Sequence, residues 1–152
     1  NMNKIVITLF LIFFTTSLSA AFEYHGFKSG MSKEEVDEIL GQDSSSCDYT
    51  CRKDYFAKLG RSDPPALWKF SFKFTSDNKL WRIQLDFLDL GSGPSSVAQT
   101  RALEKLYPDA ELQRRTEKGQ YIDYDYVTAL LIDSRLFEAD VKKIYNERID
   151  KY

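Results

Sequence analysis

Cys47-Asp-Tyr-Thr-Cys51 holds both cysteines of the chain, and two thiols this close in sequence can do three kinds of chemistry. A redox dithiol would exchange electrons with other thiols. Such motifs usually put two residues between the cysteines, so that a helix N-terminus stabilises one thiolate; here three intervene. A zinc site would need four N/S ligands, or three and a water, and His25 is the one histidine available. A structural disulfide needs only an oxidising compartment. Outside this motif the candidates thin out. His25 has no serine or second cysteine motif nearby to make a triad. Asp123 and Asp125, one strand step apart, share a face and could pair as acid and base, or could simply be solvated. The seven glycines are scattered, so no phosphate loop forms. The expectation is a Cys47–Cys51 disulfide, with no catalytic set, no cofactor and no metal.

The elements that must position these residues are legible in the patterning. In Gly30-Met-Ser-Lys-Glu-Glu-Val-Asp-Glu-Ile-Leu-Gly41, Ser32 and Glu35 form a capping box, and Met31 with Val36 forms a hydrophobic staple. Val36, Ile39 and Leu40 make one apolar stripe, and Gly41 ends the helix in the left-handed region. The stretch 42–66 reads as less regular. Tyr55, Phe56 and Leu59 there suggest a short helix ended by Gly60, and Asp63-Pro-Pro65 breaks the chain.

The strongest strand signal follows. In Leu67-Trp-Lys-Phe-Ser-Phe-Lys-Phe-Thr75, Trp68, Phe70, Phe72 and Phe74 alternate with polar residues. After the turn Ser76-Asp-Asn-Lys79, Trp81, Ile83, Leu85 and Phe87 do the same. Period two on both arms predicts an antiparallel hairpin with one dry and one wet face. The wet face, carrying Lys69, Lys73, Arg82, Gln84 and Asp86, is the candidate binding face. Ser96 with Gln99 reads as a second capping box, opening a helix with the stripe Ala102, Leu103, Leu106 and Tyr107 that stops at Pro108. Two more strands are expected over 110–117 and 120–133. A last helix, from Leu136 to Tyr152, is expected to pack back through Phe137, Val141, Ile144, Tyr145 and Ile149. The order predicts an α+β, two-layer fold: an antiparallel sheet with helices packed on one face, and a weak αββ repeat over 31–87 and 95–132.

The N-terminus points to export. Lys4, the apolar run Ile5-Val-Ile-Thr-Leu-Phe-Leu-Ile-Phe-Phe14 and the small-residue exit Ser19-Ala-Ala21 have the layout of a signal peptide. The run is short of the roughly 20 residues a membrane span needs. The expected organisation is a signal peptide over 1–21 and a single α+β domain over 22–152, periplasmic or secreted, with no transmembrane span in the mature chain. The 21 basic and 23 acidic residues give a net charge of −2, which offers nucleic acid no basic surface.

This leader, Phe27 with the Gly30-to-Gly41 motif, and the antiparallel strands after it resemble the small secreted domains of the SmpA/OmlA type. Those are outer-membrane-assembly lipoproteins; the related β-lactamase-inhibitor-protein-like domains share the pattern. The resemblance implies a curved sheet behind the helix and a non-catalytic protein that binds other proteins. The chain departs from it by lacking a lipoprotein cysteine after the leader and by carrying a cysteine-bearing insertion between helix and hairpin. The C-x-x-x-C spacing also resembles Sco-type copper proteins, but those use a thioredoxin fold and a histidine downstream of the pair. The expected function is therefore a non-catalytic domain that binds a protein or cell-envelope component. The alternatives are a thiol-redox or copper-handling protein using Cys47 and Cys51, and an inhibitor of a secreted hydrolase.

Overall fold

The structure, a computed structural model, describes residues 19–61, 64, 66–91 and 93–151. The expected signal peptide lies outside the described residues apart from its last three positions. The chain enters through a two-stranded ribbon, β1 (Glu23–Tyr24) and β2 (Phe27–Lys28), then forms α1 (Lys33–Leu40). The α1 capping box is complete. Glu35 N–H donates to the Ser32 hydroxyl at 3.1 Å, and Ser32 N–H donates to the Glu35 carboxylate at 2.7 Å. Gly41 closes the helix at φ 76° and donates to Asp37 O. Val36 and Leu40 are fully buried.

The stretch after α1 is more ordered than its sequence suggests. Asp43 accepts from Ser45 N–H and caps a 3-10 turn, Ser44–Ser46. Asp48 accepts from Cys51 N–H at 3.0 Å and caps α2 (Tyr49–Lys58). Two aspartates five residues apart thus start two helical segments in succession by satisfying otherwise orphaned N–H groups.

The main sheet has four antiparallel strands in the order β3 (Leu67–Phe74), β4 (Leu80–Leu88), β6 (Asp123–Ile132), β5 (Glu111–Lys118). Two hairpins lie side by side with their second strands in the middle, and α3 (Pro94–Leu106) links them. Val36, Leu40, Tyr55, Phe56 and Leu103 from the first three helices share one core with Phe70, Phe72, Ile83, Leu85, Phe87, Val127, Ala129 and Leu131 from the sheet. The fold is α+β, with α1 to α3 on one face of the sheet. The central position of β6 explains its solid apolar run: both of its faces are buried near the Leu131 end.

Four expectations are corrected. Trp68 and Trp81 are not on the dry face. The register pairs Leu67 with Phe87 and Lys69 with Asp86, then Lys73 with Arg82 and Phe74 with Leu80, so each tryptophan is the extra residue of a β-bulge. An extra residue breaks the alternation locally, and Leu67 and Leu80 take the buried positions instead. The Ser96–Gln99 capping box does not form. The helix starts earlier, at Pro94 after Gly93, because proline suits the first helical position. Ser96 is buried in the first turn, and the Gln99 amide bonds Leu88 O and Leu90 N instead.

The third correction concerns α4 (Ser134–Ile149), which does not pack into the core: none of its residues is buried. Its polar side meets the β3–β4 turn, where Asp140 accepts from Ser76 N–H at 3.0 Å. Phe137 stacks on Trp81 with ring centroids 4.5 Å apart, while Val141, Tyr145 and Ile149 are exposed. Asp86 is the fourth, and its position bears on the site.

Candidate functional site

The disulfide between Cys47 and Cys51 is formed, with Cα atoms 5.1 Å apart. It ties the residue before the Asp48 cap to the first turn of α2, so it braces a helix start. Cys51 is fully buried and Cys47 half-buried. Closing so short a loop contributes about 2 kcal/mol in the chain-entropy account. A Cys47→Ser/Cys51→Ala chain should lose about that much in urea titration and stay folded. Complete unfolding, or no loss, would contradict the bracing role. Among the described residues no three His, Cys, Asp or Glu side chains are grouped to hold a metal ion.

His25 sits in the β1–β2 turn at φ 47°, its ring 5.7 Å from Phe56. It lines a cleft of 350 Å³ with Tyr24, Tyr107 and Pro108. Burial, then the charge of Arg61, lowers its pKa. The sign follows from linkage. The unfolded chain, at about 6.5, binds the proton first, so the His25 contribution is intact above that value and is lost as pH falls toward the lowered folded value. The urea midpoint should therefore drop as pH falls below about 6.5, and His25→Asn, which tolerates the positive φ, should flatten that drop. An identical drop in both chains would remove His25 as the cause. Asp123 and Asp125 are both exposed, and Asp125 accepts from Thr116 at 2.7 Å.

The sheet face opposite α1 to α3 is the more organised surface. Register places Lys69, Ser71, Lys73, Arg82, Gln84 and Asp86 of the first hairpin on it, beside Tyr126, Thr128 and Leu130 of β6 and Arg115 and Glu117 of β5. Lys73 is exposed, while Lys69, Arg82 and Gln84 are half-buried. Asp86 is not an exposed docking residue: it is fully buried although it lies on the face opposite α1 to α3. Neighbouring side chains close over it. Its carboxylate accepts from the Thr128 hydroxyl at 2.7 Å and from the Gln84 amide at 3.1 Å, and Arg115 Nε lies 3.7 Å away. Glu117 is shared between Lys69 at 3.2 Å and Arg115 at 3.1 Å.

Aromatic rings frame the network. The Arg115 guanidinium lies 5.8 Å from the Tyr126 ring centroid, and that of Arg82 lies 5.2 Å from the Trp81 centroid. Such contacts hold a cation over the electron-rich ring face. Burial lowers the Arg82 pKa, Arg115 adds to this and Asp86 opposes it. The Nε atoms of Arg82 and Arg115 are buried without a hydrogen-bond partner among the described residues.

The hairpin pattern therefore points to Lys69, Lys73, Arg82 and Gln84 but misses Arg115, Tyr126, Thr128 and Trp81. Arg115 lies in a strand that is polar at every position except Leu112, so no alternation marks its face, and that it lies across β6 from Asp86 does not show in any local pattern. Comparison with family models, with curated proteins and with solved structures returns no match.

Proposed function

We propose that this chain is a secreted or periplasmic, non-catalytic domain that binds a protein or cell-envelope component on its open sheet face. The observation that carries the reading is the construction of that face. A buried carboxylate network ties its side chains together, and α1 to α3 leave it uncovered because they pack on the opposite face. A preformed surface of half-buried arginines and aromatic rings is the composition that protein interfaces favour. The disulfide fits an oxidising compartment, and no described helix is long and apolar enough to cross a membrane.

The test is site-specific photo-crosslinking in the native cell, with the probe at Ser71 or Lys73 on the open face, or at Glu38 on α1. Discrete adducts are expected from Ser71 and Lys73, not from Glu38, and should vanish with Arg82→Glu. Adducts confined to Glu38, or a pattern indifferent to Arg82→Glu, would discard the open face as the docking surface.

A further inference from the structure

The open face carries more positive charge than its own carboxylates neutralise. Lys69, Lys73, Arg82 and Arg115 meet Asp86, Glu111 and Glu117 there. Asp86 is wholly buried and occupied by Thr128, Gln84 and Arg115. Glu117 is already divided between Lys69 and Arg115. Arg82 has no carboxylate partner among the described residues, and its Nε is shut off from water without an acceptor. Arg82 is half-buried and Asp86 acts on it only at longer range, so a guanidinium whose Nε is shut off from water gains from an anion that pairs with it directly. The planar fork of arginine suits a carboxylate, which it can hold through two parallel N–H donors.

From this we infer that the open face recognises an extended acidic segment of its partner, with side-chain carboxylates on alternate residues seated on Arg82 and Arg115. The inference rests on the docking role proposed for this face. An extended segment sets same-side residues about 7 Å apart, so a run of alternate carboxylates can reach guanidiniums whose backbone positions lie two strands apart in the sheet. The Tyr126 ring is buried beside Arg115, and the Trp81 ring, stacked on Phe137, lies beside Arg82, so both rings steady the arginines that meet the segment. Carboxylate is favoured over the denser charge of phosphate because Asp86 and Glu117 lie beneath and beside the arginines and repel a dianion. The chain's net charge of −2 gives no long-range pull on a polyanion. Selection therefore falls to the short-range geometry of a few guanidiniums.

The experiment follows the arginine Nε–H and backbone amide NMR signals of the protein during titration with a capped Glu-Thr-Glu-Thr-Glu peptide. A Gln-Thr-Gln-Thr-Gln peptide and inorganic phosphate serve as comparisons. The acidic peptide should move the Arg82 and Arg115 signals together with amides of β3, β4 and β6. Its dissociation constant should rise about 10-fold in Arg82→Gln and less in Arg82→Lys, which keeps the charge and loses the fork. It should also rise several-fold between about 50 and about 300 mM salt. Equal binding of the glutamine peptide, equal or tighter binding of phosphate, or an affinity unchanged by Arg82→Gln would overturn the inference. If the acidic peptide fails while the Ser71 and Lys73 crosslinks persist, the acidic preference falls and the docking face stands. If both fail, the docking face falls as well.

Discussion

Asp86→Ala is expected to lower the unfolding free energy by about 2–3 kcal/mol, although the residue sits on the face opposite α1 to α3. The substitution strands the Thr128 hydroxyl and the Gln84 amide, both of which donate to the carboxylate. It also leaves Arg115 without the buried charge beside its Nε. Breaking a fully buried pair costs about 3–5 kcal/mol, but the Arg115 side chain is 37% exposed and regains some hydration, which sets the lower figure. Asp86→Asn keeps the shape and one acceptor oxygen, so it should cost less than the alanine. Combining Asp86→Ala with Arg115→Met removes the stranded charge and should recover part of the loss, a coupling that a double-mutant cycle reads directly. Urea unfolding of the parent chain, Asp86→Ala, Arg115→Met and the double variant, with Asp86→Asn beside them, checks this. Additive losses would show that Arg115 and Asp86 do not act as a unit. The same variants should weaken binding on the open face, because Asp86 fixes the side chains that form it.

How much of this was legible in the sequence depends on how local each feature is. The α1 cap is a local motif, and Ser32, Glu35 and Gly41 take the conformations their types require. The hairpin is local too, since period two needs only consecutive residues. Its failures occur at Trp68 and Trp81, where a bulge shifts the register and nothing in the alternation marks the extra residue. Burial of Asp86 is not local. It depends on Thr128 and Arg115, which reach it because β6 and β5 lie beyond β4 in the sheet order, and a polar residue on a wet-face position reads as exposed until those strands are placed. The α4 stripe shows the converse. Helical spacing of Phe137, Val141 and Tyr145 says that the face is apolar, while covering it requires a surface that the described residues do not place there. The candidate face was therefore half readable: its first-hairpin members follow from alternation, and its arginine–carboxylate centre follows only from topology.

Phe27→Ala is expected to cost about 3–5 kcal/mol, the range for emptying a fully packed phenylalanine site. Phe27 is completely buried although it belongs to a two-residue strand near the chain's start. Its ring lies 4.9 Å from Phe72, 5.1 Å from Tyr55 and 6.5 Å from Phe70, so a single side chain joins the entry ribbon, α2 and the edge strand β3. None of these neighbours can close the gap alone, because each is fixed by its own element, and a cavity that cannot collapse gives the upper end of the range. The loss would take a large share of a total stability that is about 5–15 kcal/mol for ordinary domains. Phe27→Leu leaves a smaller void and should cost about 1–2 kcal/mol. Phe137→Ala, which removes a ring 43% exposed and stacked on Trp81, should cost only about 1–2 kcal/mol, the share its partial burial gives. Thermal and urea unfolding of the three variants reads the ordering. Were Phe27→Ala to cost no more than Phe137→Ala, the helical layer would not be packed against the sheet through this ring. The rigidity assigned to the opposite, open face would then lack its support.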